Sequence, residues 1–429
     1  MRAGTRRVLQ RLRDYESRNV TFIEADGSWP IVWERARGAA VWDADGKKYL
    51  DLTAAFGVAA AGHANPRVVR AGQRQMARLL HAMGDVHPHA LKASLARELS
   101  RLTFERWGAG RAKTIFCNSG FEAVEVALKT AMLATGNPGV IAFQGAYHGL
   151  GYGALNVTHR QYFSLPFRRQ LREFARFVPF PRRSADLEAV ESRVGRLLGR
   201  QEAKTVLVEP IQARGGINLP PAGFLPLLRR LCREHGALLV LDEIYTGFGR
   251  TGRWFACEHA GVAPDLVCLG KALTGGFPLS ACVGRAELMD AAWPPSTGEA
   301  LHTSTFLGHP VGCAMALAQI QEIGARGLVE RSASLGQSFL EWLRAEVRCA
   351  RLHSEIRGLG LMTGVELRLP DGRPATDATL AVVKEMLHRG FILLPEGEAA
   401  NVIGFTPPLT ISRGQLRATV RALAEVLAR

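Results

Sequence analysis

Short apolar runs alternate with amphipathic stretches through the middle of this sequence. Residues 121–133 and 223–234 repeat apolar positions at the helical period, and they lie between runs that are short and almost uniformly apolar. This alternation predicts an α/β fold in which a mostly parallel central sheet is flanked by helices. Ligands of such sheets bind at the carboxyl ends of the strands. The runs predicted as buried strands cover residues 114–117, 140–143, 205–208, 238–241 and 266–269.

The pattern changes towards both ends of the chain. After about residue 320 it predicts one long, interrupted helix, two strands around a helix at 377–388 that Thr376 would cap, and a last helix from Gly414. Near the start, AVWDADGKKYLDL predicts a hairpin with an Asp-Gly turn. We therefore expect a large domain, a smaller α+β C-terminal domain and an N-terminal arm that joins the small domain. Their expected limits are 1–64 for the arm, 65–320 for the large domain and 321–429 for the small domain.

Composition is that of an ordinary globular protein, with 47% hydrophobic and 22% charged residues in 429. No apolar run reaches the ~20 residues of a membrane span. The net charge of +15 could indicate nucleic-acid binding, but Arg and Lys are spread along the chain without a nucleic-acid motif, so a solvated basic surface is favoured. The first residues lack a secretory apolar segment, and Asp14 and Glu16 favour a surface helix over a transit peptide. Seven cysteines without a CxxC pair favour a reducing cytoplasm, with no metal site or disulfide framework.

Lys271 follows the apolar run at 266–269 and precedes a glycine-rich turn. Burial at a strand end lowers the pKa of a lysine and favours its neutral, nucleophilic amine. Such an amine can form a Schiff base with an aldehyde, and pyridoxal phosphate is the usual protein-bound aldehyde. Asp242 follows the preceding apolar run, where its carboxylate needs a partner such as a protonated pyridine nitrogen. Ile244 could pack on one face of that ring, although a buried Asp that caps a loop gives the same local pattern.

Other strand ends carry residues that suit the rest of such a cofactor. Ser119 and Gly120 lie between a strand and a helix, so the first helical N–H groups could hold a phosphate, although Ser-Gly is also a common helix cap. Tyr147 could stack on the second ring face or be a core tyrosine, and we give its neighbour His148 no catalytic role. Glu209 ends a strand and could bond near the ring hydroxyl or orient other groups.

Together these segments resemble the class III (ornithine/ω-amino acid) aminotransferases, a family of fold type I enzymes that use pyridoxal phosphate. The motifs NSGFEAVEVALK, AYHG, VEPIQ, LDEIYTGFGRTG, GKALTGGFPLSA and STFLGHPVGCAMA occur in the family's order, and the resemblance covers nearly the whole chain. It implies a homodimer with shared active sites, in which Thr305 would reach the phosphate in the neighbouring subunit. Lys271 would carry the cofactor and move protons, and Asp242 would pair with the pyridine nitrogen. The further cofactor contacts that it implies are Ser119, Gly120 and Phe121 at the phosphate and Tyr147 and Ile244 on the two ring faces.

Two positions depart from the family pattern at the substrate. Members that bind an α-carboxylate often have an Arg in I-R-F-x-P-P, where this chain has Gly404, and many have an acid after VEPIQ-x, where it has Arg214. Arg214 could bind the substrate carboxylate from the opposite wall by a bidentate pair, or it could point to solvent in a pocket for amines without that carboxylate. The resemblance also implies Phe56 in the substrate pocket, and Trp29 is a further candidate there.

The resemblance implies an aminotransferase that moves an amino group from a primary amine or ω-amino acid to a 2-oxo acid in a ping-pong cycle. An aminomutase resembling glutamate-1-semialdehyde mutase and an amino-acid racemase or epimerase remain alternatives, because they need only changes in the pocket. A cofactor-binding module without turnover is a third alternative. The joint presence of Lys271, Asp242, Tyr147 and Thr305 argues against that module.

Overall fold

The computed structural model describes residues 3–428, so the outermost ends of the predicted arm and small domain, residues 1–2 and 429, lie outside the described residues. Short 3₁₀ or π turns supplement the regular elements at Arg101–Glu105, Leu165–Gln170, Ser184–Asp186, Ala256–His259 and Lys271–Leu273. The strands are β1 Trp33–Arg37, β2 Ala40–Asp43, β3 Lys48–Asp51, β4 Ala112–Cys117, β5 Val140–Phe143, β6 Ala175–Val178, β7 Thr205–Val208, β8 Leu238–Asp242, β9 Leu266–Leu269, β10 Ser280–Arg285, β11 His353–Leu359, β12 Met362–Arg368, β13 Phe391–Ile392, β14 Leu394–Glu396 and β15 Val402–Phe405. The helices are α1 Ala3–Tyr15, α2 Ala54–Gly57, α3 Pro66–Arg78, α4 Ala90–Ser100, α5 Gly120–Thr135, α6 Tyr152–Val157, α7 Gln161–Ser164, α8 Leu187–Gly199, α9 Phe224–Glu234, α10 Ala286–Ala292, α11 Pro310–Ala325, α12 Leu328–Glu346, α13 Thr376–His388 and α14 Arg413–Leu427.

The central sheet has seven strands in the order β4-β10-β9-β8-β7-β5-β6. Strands β5 to β9 pair in parallel, whereas β10 runs antiparallel to both of its neighbours, β4 and β9. Strands β5, β7, β8 and β9 are buried along their whole length. Burial on both faces explains why these strands are apolar runs without alternation. The predicted α/β fold with a mostly parallel sheet is therefore confirmed.

Helices cover both faces of this sheet. On one face, Ala123 and Ala127 of α5 join a buried cluster with Val240 and Cys268 of β8 and β9. On the other face, α9 packs its buried residues into the main core with alternate residues of the same strands. The helices hold the strands in register, so the carboxyl ends of the parallel strands form one edge on which side chains can converge.

Two smaller sheets stand beside the central one. The first has the order β1-β2-β3-β13, and its β3 pairs in parallel with β13, so the N-terminal hairpin is joined to the C-terminal part of the chain. The second has the order β11-β12-β15-β14, and all its pairs are antiparallel. Within residues 3–428, none of the helices combines the length and the apolar character needed to cross a bilayer.

The structure confirms the five predicted strands and corrects several details. The predicted interruption of the long helix is confirmed, because α11 ends at Ala325 and α12 begins after Gly327, whose φ is +55°. The prediction that Thr376 caps α13 is wrong, because Thr376 is its first helical residue and its Oγ1 donates to the carbonyl oxygen of Ala399 at 2.6 Å. Strands β1, β6, β10, β11 and β15 were not predicted. β10 and β15 each contain a glycine, which has a low strand propensity, so neither shows the pattern of a strand.

Candidate active site

The fold brings Lys271 and Asp242 to the same edge of the central sheet. Asp242 is the last residue of β8, and it pairs with Cys268 of β9. Lys271 begins the short 3₁₀ turn that follows β9, with φ +41°, a left-handed conformation that is uncommon for a residue with a side chain. Such strain at a strand end is typical of a functional site, because the surrounding structure must hold it in place.

The surroundings of Lys271 favour its neutral amine. Desolvation lowers the pKa of Lys271 below its usual value, and the carboxylates of Asp242 and Glu209 only partly oppose this shift. Its Nζ lies 4.6 Å from the ring centroid of Tyr245. Burial raises the pKa of Tyr245 to about 12, so that ring stays neutral at physiological pH. The predicted lowering of the Lys271 pKa is therefore found in the structure.

Asp242 is held from two sides by hydrogen bonds that orient its carboxylate. Its Oδ1 accepts the backbone N–H of Ile244 at 3.0 Å, and its Oδ2 lies 2.8 Å from Nδ1 of His148. Asp242 and His148 are 5% and 2% exposed, so solvent does not weaken this contact. Nε2 of His148 is buried and has no hydrogen-bond partner among residues 3–428. No catalytic role was predicted for His148, although the need of a buried Asp for a partner was a signal that could have identified it.

The side chain of Glu209 connects two loops near this pair by hydrogen bonds to their backbones. Its Oε1 accepts the backbone N–H of Tyr147 at 3.0 Å, and its Oε2 accepts that of Ala213 at 3.0 Å. Burial raises the pKa of Glu209 to about 7; His148 opposes this shift and Asp242 adds to it. Near neutral pH this carboxyl is therefore partly protonated and can donate a hydrogen bond as well as accept them.

The N-terminus of α5 forms a polar cradle beside the strand edge. Ser119 precedes the helix, and its buried Oγ has no hydrogen-bond partner among residues 3–428. Its carbonyl oxygen accepts the Ser280 hydroxyl at 2.5 Å, which fixes the turn to β10. The first N–H groups of an α-helix have no partner within the helix and attract anions. An unpartnered hydroxyl and a helix N-terminus therefore converge where a phosphate was predicted.

The N-terminus of α5 lies close to Ile244, which follows the strand edge. A Cβ atom on Gly120 would lie 3.2 Å from two methyl groups of Ile244, so glycine permits the close approach of α5 to that side chain. Phe121 packs against the loop after Tyr147, because a Cβ atom on Gly149 would lie only 2.4 Å from its Cβ. The Tyr147 ring lies 5.8 Å from that of Phe163 and is half-buried. The predicted ring-facing and phosphate residues are thus in one neighbourhood.

Phe56 lies on a strained segment next to the same site. It has φ +62° and is 52% exposed. A Cβ atom on its neighbour Gly57 would lie 2.9 Å from the ring of Tyr245, the residue beneath the Lys271 amine. The segment therefore packs against the wall of the Lys271 site, and its exposed phenyl ring is available to a substrate or to another chain.

The partly exposed side chain of Arg214 contacts an acidic residue and lies near an aromatic ring. Its Nη1 lies 3.2 Å from Oε2 of Glu396, an acid of β14 for which no role was predicted. Its guanidinium also lies 6.0 Å from the ring centroid of Tyr147. The local signal for Glu396 was weak, because its strand is three residues long and far from Arg214 in sequence.

Two predicted site residues lie away from these contacts. Trp29 packs with Val41 and Ile392 of the N-terminal sheet, and among residues 3–428 the structure gives it no contact with Lys271 or Asp242. Thr305 is exposed in the segment before α11, near the point where Asn118 Nδ2 contacts the neighbouring Ser304 hydroxyl at 3.4 Å. Both assignments remain predictions.

These groups fit pyridoxal phosphate. The cofactor needs a nucleophilic amine for its aldehyde, an acid for its ring nitrogen and donors for its phosphate. Lys271 has the amine with lowered pKa and Asp242 has the oriented carboxylate. The buried Ser119 hydroxyl, which has no hydrogen-bond partner among residues 3–428, is a donor for the phosphate, and Gly120 lets α5 approach Ile244 closely. The donor set therefore matches the group part by part.

Comparisons with known proteins point the same way. The profile of the family described as "Aminotransferase class-III" matches residues 22–427. The chain is 36% identical to the acetylornithine aminotransferase of Methanosarcina mazei, with 94% of this chain and 93% of that protein covered. It is also 36% identical to the putrescine aminotransferase of Pectobacterium atrosepticum, with 100% and 90% covered. The solved ornithine aminotransferase of Toxoplasma gondii, described with partial occupancy of PLP at its active site, is 29% identical with a TM-score of 0.85, and 99% and 94% of the chains are covered.

Proposed function

The chain belongs to the class III aminotransferase family, and we propose how its own residues perform the family's reaction. It is an aminotransferase of fold type I that depends on pyridoxal phosphate and moves an amino group from an amine donor to a 2-oxo acid in a ping-pong cycle. One observation supports this assignment of residues above all. Lys271, whose pKa is lowered, lies at the same strand edge as the hydrogen-bonded pair of Asp242 and His148. Both half-reactions would take place at that edge of the central sheet.

Lys271 is the proposed cofactor lysine and proton carrier. When bound, pyridoxal phosphate supplies an electron-accepting ring that stabilises negative charge on the substrate carbon. The neutral Nζ of Lys271 accepts the proton from that carbon and holds it for return. Desolvation lowers the pKa of Lys271, which favours the unprotonated amine that a base needs.

Asp242 is the proposed partner of the ring nitrogen, and His148 positions it. A carboxylate only accepts hydrogen bonds, so Nδ1 of His148 must donate to Oδ2 of Asp242. The Ile244 backbone N–H fixes the other oxygen. The carboxylate is therefore oriented before any ligand arrives, and it does not need to reorganise during the reaction.

The remaining predicted contacts complete the cofactor site. We assign Ser119, Gly120 and Phe121 to the phosphate, because they lie at the N-terminus of α5 and the buried Ser119 hydroxyl has no hydrogen-bond partner among residues 3–428. Ile244 and Tyr147 are assigned to the two faces of the ring. Glu209 is assigned to the hydroxyl side of the ring, since a carboxyl with a pKa of about 7 can share a proton there.

The active unit that we propose is a homodimer with shared sites. The segments at 79–86 and 301–307 are adjacent, because Thr303 Oγ1 donates to Asp85 Oδ2 at 2.5 Å. Both segments expose large apolar side chains, including Met83 at 55% and Phe306 at 55%. Contiguous exposed apolar surface of this kind marks an interaction site, and Thr305 lies within it. A second copy that covered this surface would bring Thr305 to its partner's phosphate cradle.

A cytoplasmic location and the division of the chain at residues 64 and 320 are also proposed. All seven cysteines are free thiols, and six of them are buried, which suits a reducing compartment. The division is supported by the three sheets, because β3 of the N-terminal hairpin pairs with β13 from the C-terminal part.

Absorbance of the cofactor-loaded enzyme tests the reaction directly. An amine donor should convert the visible band of the lysine-linked cofactor to the near-ultraviolet band of its amino form, and a 2-oxo acid should restore the first band. A Lys271→Ala protein should show neither change. An aminomutase or racemase would convert its substrate without any 2-oxo acid, and that result would overturn the assignment as a transaminase.

A further inference from the structure

Arg214 and Glu396 join two chain segments by charge and by backbone. Arg214 Nη1 lies 3.2 Å from Glu396 Oε2, and the N–H of Gly397 donates to the carbonyl oxygen of Arg214 at 3.0 Å. The two side chains differ in exposure, since that of Arg214 is 35% exposed and that of Glu396 only 5%. The arginine is therefore the partner that can move, whereas the carboxylate is fixed.

The place of Glu396 depends on a glycine. Strands β14 and β15 are antiparallel, and Gly404 pairs with Leu394. A Cβ atom on Gly404 would lie 2.8 Å from Cγ of Glu396, closer than side chains normally approach. The Glu396 side chain thus occupies the space that any larger residue at 404 would fill.

Glu396 is not satisfied by its arginine. The 3.2 Å contact lacks hydrogen-bond geometry, and Oε2 of Glu396 has no hydrogen-bond partner among residues 3–428. Burial raises the pKa of Glu396 to about 7, and Arg214 and Lys271 only partly oppose that shift. A buried carboxyl oxygen without a donor is costly, so an additional cationic donor would stabilise it.

The pair is also part of the Lys271 site. The charges of Arg214 and Glu396 both act on the pKa of Lys271 and on that of Tyr245. The Tyr245 ring lies 4.6 Å from the Lys271 amine. A substrate bound at Lys271 would therefore be within electrostatic range of the partly exposed cation of Arg214 and the buried anion of Glu396.

We propose that Glu396 binds the second ammonium of a diamine donor when the Arg214 side chain moves aside, and that Arg214 binds the carboxylate of the 2-oxo acid in the other half-reaction. This inference rests on the proposed function, because a ping-pong enzyme receives both substrates in one pocket. Each charged residue recognises one substrate and neutralises the other residue while that substrate is absent. The pair then keeps a buried charge from standing alone in the empty site.

Two donors of equal length isolate the ammonium contact. 1,4-Diaminobutane and butylamine differ only in the second amine, so only the diamine can use Glu396. Glu396→Gln should raise the KM for the diamine by about tenfold to 100-fold, the usual effect of losing a charge-assisted contact, and should change the KM for butylamine far less. Glu398→Gln is the matched control, since Glu398 lies two residues further on and is exposed. It should change neither donor.

Arg214→Ala should act in the opposite direction. Removal of the competing guanidinium should lower the KM for the diamine, while the KM for the 2-oxo acid should rise by about tenfold. Because the Arg214 side chain is partly exposed, this variant should fold normally. Equal effects of Glu396→Gln on the diamine and butylamine, or a higher KM for the diamine in Arg214→Ala, would overturn the proposal.

Calorimetry gives a readout that does not need turnover. N,N,N′,N′-Tetramethyl-1,4-diaminobutane has two cations but no primary amine that could react. The cofactor-loaded enzyme should bind it more weakly by about tenfold after Glu396→Gln, and Glu398→Gln should have no effect. Equal binding to all three proteins sinks the inference. If no donor is transaminated, the proposed function fails, and the binding measurement still decides whether Glu396 recognises a diammonium ligand.

Discussion

The two walls of the site are built in different ways. The reaction wall consists of strand ends of one sheet: Asp242 ends β8, Lys271 follows β9, and the backbone N–H of Ile244 fixes the carboxylate. The opposite wall depends on a contact between Arg214, on a loop after β7, and Glu396 of β14 in another sheet. The first arrangement is rigid because the sheet sets every distance. The second includes a partly exposed side chain, so it can change with the substrate.

This difference teaches where chemistry and selectivity reside in the protein. The groups to which we assign the reaction lie at the edge of the central sheet, whereas the groups that we propose to meet two unlike substrates lie between sheets. Substitutions in the first region should abolish the reaction with all donors. Substitutions in the second should change the choice of donor and leave the basic reaction intact. The predictions below test that division.

The largest effect is expected at Lys271. Lys271→Ala removes both the attachment of the cofactor and the proton carrier, so kcat should fall by about 10⁴-fold or more with every donor. Steady-state kinetics with two donors measures this loss. Lys113→Ala is a suitable control, because Lys113 is an exposed lysine paired with Asp290 on the surface. A donor that retained its rate in Lys271→Ala would place the chemistry elsewhere.

Asp242→Asn should cost about 10²- to 10³-fold in kcat, because the amide cannot stabilise a protonated ring nitrogen as a carboxylate does. The visible absorbance should show that the cofactor is still bound. The loss should be equal for diamine and monoamine donors, since Asp242 belongs to the reaction wall. If kcat fell only with diamine donors, Asp242 would act in donor selection, which contradicts the proposed division between the two walls.

Glu209 should make stability depend on pH. Its folded pKa of about 7 lies above the usual value of 4.5, so the folded state holds a proton that the unfolded state releases. Its contribution to stability is therefore fully present below about pH 4.5 and is lost as pH rises through 7. The loss amounts to at most about 3 kcal/mol of the free energy of unfolding, and it should be absent in Glu209→Gln.

Urea unfolding of the wild type and Glu209→Gln at pH 5 and pH 8 measures this effect. The variant also alters two hydrogen bonds, and that cost is the same at both values of pH. Only the change in the difference between the two proteins is informative. If the free energies of unfolding of the two proteins differed by the same amount at pH 5 and at pH 8, the Glu209 carboxyl would not titrate in this range.

A smaller effect is expected at His148, which acts through Asp242. His148→Ala should lower kcat by about tenfold and alter the pH profile, because the carboxylate loses its orienting donor. His148→Asn, which keeps a side-chain N–H, should recover part of the rate. If both variants lost the same activity with an unchanged pH profile, His148 would have only a packing role.

The smallest effect is expected at Gly404. Gly404→Ala places a methyl group 2.8 Å from Cγ of Glu396, so the carboxylate must move. The KM for 1,4-diaminobutane should rise by a few-fold, and that for butylamine should stay constant. Gly414→Ala is a control at an exposed helical position, where a Cβ atom would have no neighbour closer than 3.9 Å. A change of KM for both donors would indicate a general distortion of the pocket.

The sequence predicted the reaction wall well because its signals are local. A strand that is buried on both faces is a continuous apolar run, and the polar residue after the run marks the strand end, as at Asp242 and Lys271. The remaining cofactor contacts come from family motifs around these ends and stay predictions. Proximity of those ends follows from a parallel sheet alone, so no knowledge of long-range contacts was needed.

The other wall could not be predicted because its contacts are not local. Glu396 lies on a three-residue strand next to Gly397, and neither propensity nor period marks such a short strand. Its link to Arg214 arises only when the sheets assemble. His148 was missed for a related reason, since its partner Asp242 comes from a strand two places away in the sheet. Tertiary contacts, rather than local pattern, decide these roles.

The central claim is that the amine of Lys271 binds the cofactor aldehyde. Borohydride reduction of the cofactor-loaded enzyme, followed by mass spectrometry of its peptides, tests this claim most directly. The reduced cofactor should be found on the peptide that contains Lys271, and pretreatment with a reactive amine donor should remove the label. Label on another lysine, or no label on a protein that still holds the cofactor, would contradict the account.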